Sequence, residues 1–314
     1  VVYLRGEGSK DRIYDHFLPN TVTFIFILKA CGCTRSISQG KQIHKDILNR
    51  GLLKNNVLLG TALVDMYAKC GVLGKSQEVF DELLVRDVVA WNALISGYIQ
   101  HGLCEEALNC FKKMQVEGLS PPNEITYICG LKACGNIGSL KVGEEIHSEV
   151  CKKGLLLKAN HALGTALIDM YAKCSVQEKA QEVFDEIPTT TITSWTALLA
   201  GYGQQGQSKM VFMLFSKMMA ACIDPDLVTF LVLLNACSHA GLVDEGQMFF
   251  DGMNSTCSLT PTSEHYACMV DLLARAGCLV EAIVMAKKLP CLSYLPVWDI
   301  LIGASQKWGN VTVG

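Results

Sequence analysis

The residues best suited to chemistry are a histidine–glutamate pair and the cysteines, and their spacing does not build a catalytic site. His147 and Glu149 form the His-x-Glu sequence of zinc-dependent nucleobase deaminases, but no Pro-Cys-x-x-Cys follows them. None of the fifteen cysteines belongs to a Cys-x-x-Cys pair, which argues against a zinc ribbon and a disulfide framework. We therefore predict no catalytic residue, no metal ligand and no cofactor, and we expect that the protein is not an enzyme.

Composition and charge restrict the remaining functions. Half of the 314 residues are hydrophobic and 18% are charged, so the chain has enough apolar surface to fold. It has no run of about 18 apolar residues, and we expect neither a membrane-spanning helix nor a membrane partner. The formal charge of −3 lacks the strongly basic signature of bulk nucleic-acid binding. Any contact with nucleic acid must therefore be local.

The sequence repeats itself at an interval of 104 residues. LGTALVDMYAKC at residues 59–70 returns as LGTALIDMYAKC at 163–174, and VVAWNALISGY at 88–98 returns as ITSWTALLAGY at 192–202. Three unequal units fit within each interval. A repeat of this kind indicates a stacked array rather than separate globular domains.

Each unit has the pattern of a helical hairpin. In residues 57–87, Leu63, Met66 and Tyr67 lie at helical spacing, Gly71 interrupts the run, and a second apolar stripe follows. Two helices of about 12 residues cannot bury both of their faces alone, so neighbouring hairpins must stack. The pattern predicts an all-α solenoid. Recurrent cysteines (Cys31, Cys134 and Cys237) and tryptophans (Trp91, Trp195 and Trp298) are interpreted as core residues.

Unit lengths near 36, 31 and 35 residues, with the sequences LKAC, GTALVDMYAKCG and VVAWNALISGY, resemble the PLS class of pentatricopeptide repeat proteins of plant organelles. VWDILIGASQKWGNV at 297–311 resembles the beginning of the family's C-terminal E motif, and the family's DYW deaminase domain does not follow it. The resemblance implies a right-handed superhelix of stacked hairpins. It divides the chain into a partial or aberrant N-terminal repeat (1–20), the repeat units 21–56, 57–87, 88–123, 124–160, 161–191, 192–226, 227–262 and 263–294, and a truncated start of the E-type extension (295–314).

The resemblance also implies how such a chain contacts single-stranded RNA. In the family, the fifth and last residues of a repeat read one base, and the second residue wedges between neighbouring bases. Carried onto this sequence, the base-reading residues are Thr61 with Asp87, Asn92 with Asn123, Thr165 with Thr191, and Thr196 with Asp226, and the wedges are Leu58 and Val89. Long repeats carry Ile25, Ile128 and Leu231 at the fifth position, and these side chains cannot discriminate bases by hydrogen bonding.

The family's code assigns bases to these pairs. Threonine with aspartate corresponds to guanine, and asparagine with asparagine corresponds to cytosine and more weakly to uracil. Threonine with threonine has no reading. The predicted target is guanine, then cytosine or uracil, then two poorly specified bases, then guanine. We expect the pairs to line a shared inner channel.

Alternatives exist for each assignment. Asp87 and Asp226 have residue types that favour capping of the next helix. Lys69, Lys173 and Arg275 share one frame position and resemble phosphate-contacting residues, or they are solvated surface charges.

The resulting hypothesis is a sequence-specific RNA-binding factor that selects sites for C-to-U editing in a mitochondrion or chloroplast, with a deaminase supplied in trans. No transit peptide is visible, and no small-molecule substrate is expected. A protein-binding helical scaffold and a truncated non-functional fragment remain as alternatives.

Overall fold

The structure, a computed structural model, describes residues 19–53, 56–156, 161–289 and 295–308, and these ranges are helical with connecting turns. Residues 1–18 of the proposed N-terminal partial repeat and 309–314 of the proposed extension lie outside the described residues. The helices are α1 (Thr21–Cys33), α2 (Ile37–Asn49), α3 (Val57–Lys69), α4 (Leu73–Asp81), α5 (Val88–Gln100), α6 (Cys104–Glu117), α7 (Glu124–Ile137), α8 (Leu140–Lys152), α9 (His161–Lys173), α10 (Gln177–Glu186), α11 (Ile192–Gln204), α12 (Ser208–Ala220), α13 (Leu227–Ala240), α14 (Val243–Ser255), α15 (Ser263–Arg275), α16 (Leu279–Lys287) and α17 (Leu295–Trp308).

The helices pair as antiparallel hairpins and stack. Each proposed unit from 21–56 to 263–294 contains one odd-numbered helix followed by one even-numbered helix. The chain divides into two compact units, Val1–Cys129 and Gly130–Gly314. In the first, α1 packs on α3 and α3 on α5, and in the second, α9 packs on α11, α11 on α13 and α13 on α15. The predicted all-α solenoid of helical hairpins is confirmed. Among the described helices, none has the length and apolarity that crossing a bilayer requires.

Glycine in a left-handed conformation ends the first helix of the hairpin. Gly71 has a φ of 77°, a backbone region that side chains with a Cβ rarely adopt. The Gly71 and Val72 amides donate to the carbonyls of Ala68 and Tyr67, both at 3.0 Å. These bonds satisfy carbonyls at the end of α3 and turn the chain into α4. The helix break that the sequence predicts at Gly71 is therefore confirmed.

Two core tryptophans, Trp91 and Trp195, pack where one hairpin meets the next. Trp91 packs edge-on against Phe80 and Trp195 against Phe184, with ring centroids 4.6 Å apart in both cases. Trp298 is different, because 41% of it is exposed. Ala286 occupies the frame position of Phe80 and Phe184, and its methyl group is too small to cover an indole. The prediction that Trp298 is a core residue is wrong.

The recurrent cysteines are packing residues. Cys31, Cys134 and Cys237 are buried, which confirms their interpretation as core residues. Burial raises the pKa of the Cys237 thiol to about 12, so this side chain stays protonated and behaves as a small apolar group. Within the described residues, no group of three or more histidine, cysteine or acidic side chains could hold a metal ion.

A glycine–alanine contact brings successive odd-numbered helices close together. A Cβ built on Gly97 of α5 would lie 2.5 Å from the Cβ of Ala68 in α3. A Cβ built on Gly201 of α11 would lie 2.7 Å from the Cβ of Ala172 in α9. Alanine Cβ atoms cannot rotate away, so glycine is required at both positions for this helix spacing.

Replacing Gly97 with alanine is expected to push α5 away from α3. Overpacking of this kind costs about 1–3 kcal/mol, and we expect Gly97→Ala to lower the free energy of unfolding by that order. Chemical denaturation followed by circular dichroism measures the change. Gly74→Ala is the matched control, because a Cβ at Gly74 meets no atom within 4 Å. Equal stability of the two variants would contradict the packing argument.

A buried histidine–tyrosine pair joins a long repeat to the next repeat in each compact unit. His44 Nδ1 lies 2.9 Å from the Tyr67 hydroxyl, and His147 Nδ1 lies 2.8 Å from the Tyr171 hydroxyl. The Nε2 atoms of both histidines are buried without a partner among the described residues. Burial lowers the pKa of both histidines below the ordinary value of 6.5. The Lys75 ammonium lowers the pKa of His44 further, and Glu82 raises it.

These depressed pKa values predict acid sensitivity. Because the unfolded chain binds protons more readily than the folded one, stability is fully present above the ordinary pKa of 6.5 and is lost as pH falls below it. Unit 227–262 has phenylalanine, Phe250, at the frame position of these histidines. Replacing both histidines with phenylalanine is expected to flatten the dependence of stability on pH. Denaturation midpoints measured from pH 8 to pH 5 provide the test. An unchanged slope in the double variant would show that other groups cause the acid sensitivity.

Candidate nucleic-acid interface

The predicted contact residues of one repeat lie along a single helix face. On α3, Leu58, Thr61, Asp65 and Lys69 follow one another at intervals of three, four and four residues, which aligns them on one side of the helix. On this side of α3, Leu58 is 67% exposed, Asp65 and Lys69 are half-buried, and Thr61 is 8% exposed. We call the second, fifth, ninth and thirteenth residues of each odd-numbered helix the reading face.

Exposed apolar side chains recur at the second position of the reading face. Leu58 is 67% exposed and Val89 is 57% exposed, although both are large hydrophobic residues. Sequence reasoning missed three equivalent residues, Val22, Ile125 and Val228, which are 57%, 57% and 53% exposed. The frame alone could have found them, because each is the second residue of its unit. Single exposed hydrophobic residues are common, but these recur at one position of α1, α3, α5, α7 and α13.

The fifth residues lie at the floor of the reading face. Thr61, Asn92 and Thr196 are 8%, 9% and 9% exposed, and Thr165 is half-buried. This differs from the expectation that the pairs line a shared inner channel. The physical reason is the close contact between successive odd-numbered helices, which leaves little room beside each fifth residue. The hydroxyl oxygens of Thr61 and Thr165 are buried and have no hydrogen-bond partner among the described residues. A buried hydroxyl without a partner costs free energy that a bound ligand can recover.

In units 57–87, 88–123 and 192–226, the last residue caps the helix that follows. Asp87 accepts a hydrogen bond from the Ala90 amide at 2.8 Å, and Asp226 accepts one from the Thr229 amide at 2.8 Å. Asn123 does the same for the Thr126 amide at 3.0 Å. The structure therefore gives these residues the capping role that was the alternative to base reading. Each cap uses the Oδ1 atom, so the other polar atom of the side chain lies outside this bond.

The structure brings together only some of the proposed reading pairs. The Asn92 amide nitrogen donates to Asn123 Oδ1 at 3.2 Å, which joins the fifth and last residues of unit 88–123. Thr196 and Asp226 meet through a third residue, since Thr229 Oγ1 lies 3.3 Å from Thr196 Oγ1 and donates to Asp226 Oδ1 at 2.8 Å. No hydrogen bond of the described residues joins Thr61 to Asp87 or Thr165 to Thr191.

The three proposed phosphate-contacting residues are held by an aspartate one helical turn earlier. Lys69 pairs with Asp65 at 2.7 Å, Lys173 with Asp169 at 2.8 Å, and Arg275 with Asp271 at 2.8 Å. Such partly exposed pairs contribute less than about 1 kcal/mol, so a phosphate can compete for the cation. The Lys69 stem runs over Gly32, where a Cβ would lie 3.2 Å from the lysine Cδ.

Sequence reasoning missed two further cations on the reading face. Lys29 and Lys132 are the ninth residues of long units and are exposed. No ion pair of the described residues includes either of them. The ninth residue is therefore aspartate in the short units and lysine in two of the long units.

The comparisons with known proteins agree with this architecture. Residues 86–136 and 190–239 match the PPR repeat family, and residues 61–88 and 228–255 match the PPR repeat. The helical hairpins within residues 61–136 and 190–255 therefore match pentatricopeptide repeats.

Individual relatives extend this similarity over almost the whole chain. A chloroplastic pentatricopeptide repeat-containing protein of Arabidopsis thaliana is 37% identical over 305 residues, covering 97% of this chain and 41% of the relative. A mitochondrial one from the same plant is 39% identical over 272 residues, covering 87% and 39%. The chain thus spans about two fifths of the length of these relatives.

Solved structures show the same fold. The crystal structure of the pentatricopeptide repeat protein PPR10, a maize protein, in complex with an 18-nt psaJ RNA element is similar with a TM-score of 0.70 at 16% sequence identity. The match covers 93% of this chain and 48% of PPR10.

Proposed function

We propose that this chain binds single-stranded RNA in a sequence-specific manner along its reading face. The observation that carries the proposal is an exposed apolar second residue that recurs in one frame in five units. In units 57–87 and 88–123 it lies beside a polar fifth and a polar last residue. An apolar side chain can stack between splayed bases, and polar groups held on rigid helices can bond to their Watson–Crick edges. The structural similarity to a protein solved with RNA supports the proposal.

Hydrogen-bonding capacity supports the proposed bases. Guanine presents two neighbouring donors, N1–H and the N2 amine, and a carboxylate oxygen accepts from either. Asp87 and Asp226 each cap a helix through Oδ1, so Oδ2 is the atom proposed to face guanine. Asn123 with Asn92 is proposed to face cytosine and more weakly uracil. The proposed order is guanine, a pyrimidine, two poorly specified bases, then guanine, from 5′ to 3′ along the chain.

The biological role that fits best is site recognition for C-to-U editing in a plant organelle. The relatives with chloroplastic and mitochondrial names support an organellar location. The PLS-type alternation of unit lengths and the E-like sequence at 297–311 support editing. In this proposal the chain selects the site without catalysis, and a deaminase acts in trans.

Selection of bound RNA from a random pool tests the base assignments. We expect the motif from the unaltered chain to contain guanine, a pyrimidine and guanine at the proposed spacing. By the same code, Asn123→Asp and Thr196→Asn are each expected to shift one base toward uracil and to leave the other bases unchanged. Each variant thereby serves as the control for the other. Identical motifs from all three proteins would reject the assignment of readers, and no enriched motif would reject sequence-specific binding.

Salt dependence tests the proposed phosphate contact of Lys69. We expect Lys69→Gln to lower the affinity for all RNA sequences alike and to reduce the slope of log affinity against log salt by about 0.7, the value for one phosphate of a single strand. Asp65→Asn releases Lys69 from its ion pair and is expected to raise the affinity at low salt.

The matched control for Lys69→Gln is Lys75→Gln. Lys75 lies on α4, away from the reading face, and also forms an ion pair on its own helix, with Glu78. The two variants carry the same change in net charge. If both change the salt slope equally, the effect belongs to overall charge and the phosphate contact of Lys69 is rejected.

A further inference from the structure

Thr126 lies beneath the polar pair of unit 88–123 and bonds to both of its members. It is the third residue of the following unit and is completely buried. Its amide donates to Asn123 Oδ1 at 3.0 Å. The single proton of its hydroxyl can go to Asn92 Oδ1 at 2.8 Å or to Asn123 Oδ1 at 3.0 Å. The hydroxyl in turn accepts from the Asn123 amide of the main chain at 3.2 Å.

These bonds fix which way the Asn123 side chain points. A backbone N–H can only donate, so the Asn123 atom that faces the Thr126 amide must be the oxygen rather than the nitrogen. That oxygen also accepts from the Asn92 amide nitrogen at 3.2 Å. Both of its lone pairs are thereby used. Asn123 is exposed, and the group it can offer to a ligand is its NH2, which only donates.

A donor-only group distinguishes the two pyrimidines. Both bases carry an acceptor at O2. At the central position of the Watson–Crick edge, cytosine has the acceptor N3, whereas uracil has the donor N3–H. The Asn123 NH2 can donate to cytosine N3, but it faces uracil N3–H without an acceptor to offer.

We propose that the Thr126 hydroxyl is a positioning group that strengthens the pyrimidine choice of unit 88–123. It favours cytosine over uracil by holding Asn92 and the Asn123 oxygen in the orientation that the Thr126 amide requires. This inference rests on the RNA binding proposed above. Thr126 does not contact the base in this proposal. The Thr126 amide, which remains in Thr126→Ala, already opposes turning of the Asn123 side chain. The hydroxyl adds one further hydrogen bond against presenting the Asn123 oxygen to uracil.

The same frame position in other units supplies internal comparisons. Thr229 engages Asp226 through its amide and hydroxyl, both at 2.8 Å. Either orientation of a carboxylate presents an acceptor, so engaging Asp226 does not alter what the base meets. Ala90 stands at this position in unit 88–123, after Asp87, and is completely buried. The fold therefore accommodates alanine at this place.

The test compares the full chain with Thr126→Ala, Thr126→Ser and Thr229→Ala. The probes are two RNA oligonucleotides of the proposed order that differ only in having cytosine or uracil at the second base, with a scrambled RNA as reference. We expect the unaltered chain to prefer cytosine and Thr126→Ala to reduce the cytosine-to-uracil affinity ratio by about fivefold, the order of one hydrogen bond. Thr126→Ser retains the hydroxyl and is expected to leave the cytosine-to-uracil ratio unchanged. Thr229→Ala removes an equivalent hydroxyl and leaves the ratio unchanged.

The outcomes separate the two proposals. An unchanged ratio in a folded Thr126→Ala that still binds the target overturns the role of Thr126 and leaves RNA binding intact. Failure of the unaltered chain to prefer either target over scrambled RNA overturns the proposed function itself.

A second measurement needs no variant. In 15N-labelled protein, the side-chain NH2 signal of Asn123 is expected to shift downfield with the cytosine RNA and much less with the uracil RNA. Equal shifts would overturn the inference even if Thr126→Ala does not fold.

Discussion

The close contact between successive odd-numbered helices is the constraint on which the rest of the structure depends. In each compact unit a glycine on one helix faces an alanine on the previous one, at a distance that leaves no space for another carbon. The contact fixes the distance between neighbouring hairpins, and therefore the distance between successive sets of reading-face residues. Thr61 and Asn92, the fifth residues of α3 and α5, are almost completely buried between neighbouring units.

Helix capping and the proposed base reading use the same side chains without conflict. A helix needs an acceptor at its first turn, and the last residue of the preceding unit supplies it through one oxygen. In Asp87 and Asp226 a second oxygen is left over. In Asn123 only the NH2 is left over. The stability requirement of the helix therefore restricts what each unit can offer to a base, which links the fold to its proposed specificity.

Much of the architecture could be predicted from the sequence, because it depends on local patterns. The break at Gly71, the hairpins and the buried positions of Cys31 and Trp91 follow from helical spacing and repetition. The features that could not be predicted depend on the neighbouring hairpin. Trp298 is exposed although Trp91 and Trp195 are buried, and the frame position that holds Phe80 and Phe184 is Ala286 before it, which helical spacing within α17 does not reveal. The hydrogen bonds of Thr126 likewise cross between units.

The most direct measurement of the central claim is a crystal structure of the chain bound to an RNA of the proposed order. The account predicts one nucleotide per hairpin along the odd-numbered helices, with an apolar second residue between neighbouring bases and the pyrimidine against Asn123. RNA bound along the even-numbered helices, or a nucleotide spacing that does not match the hairpins, would contradict it.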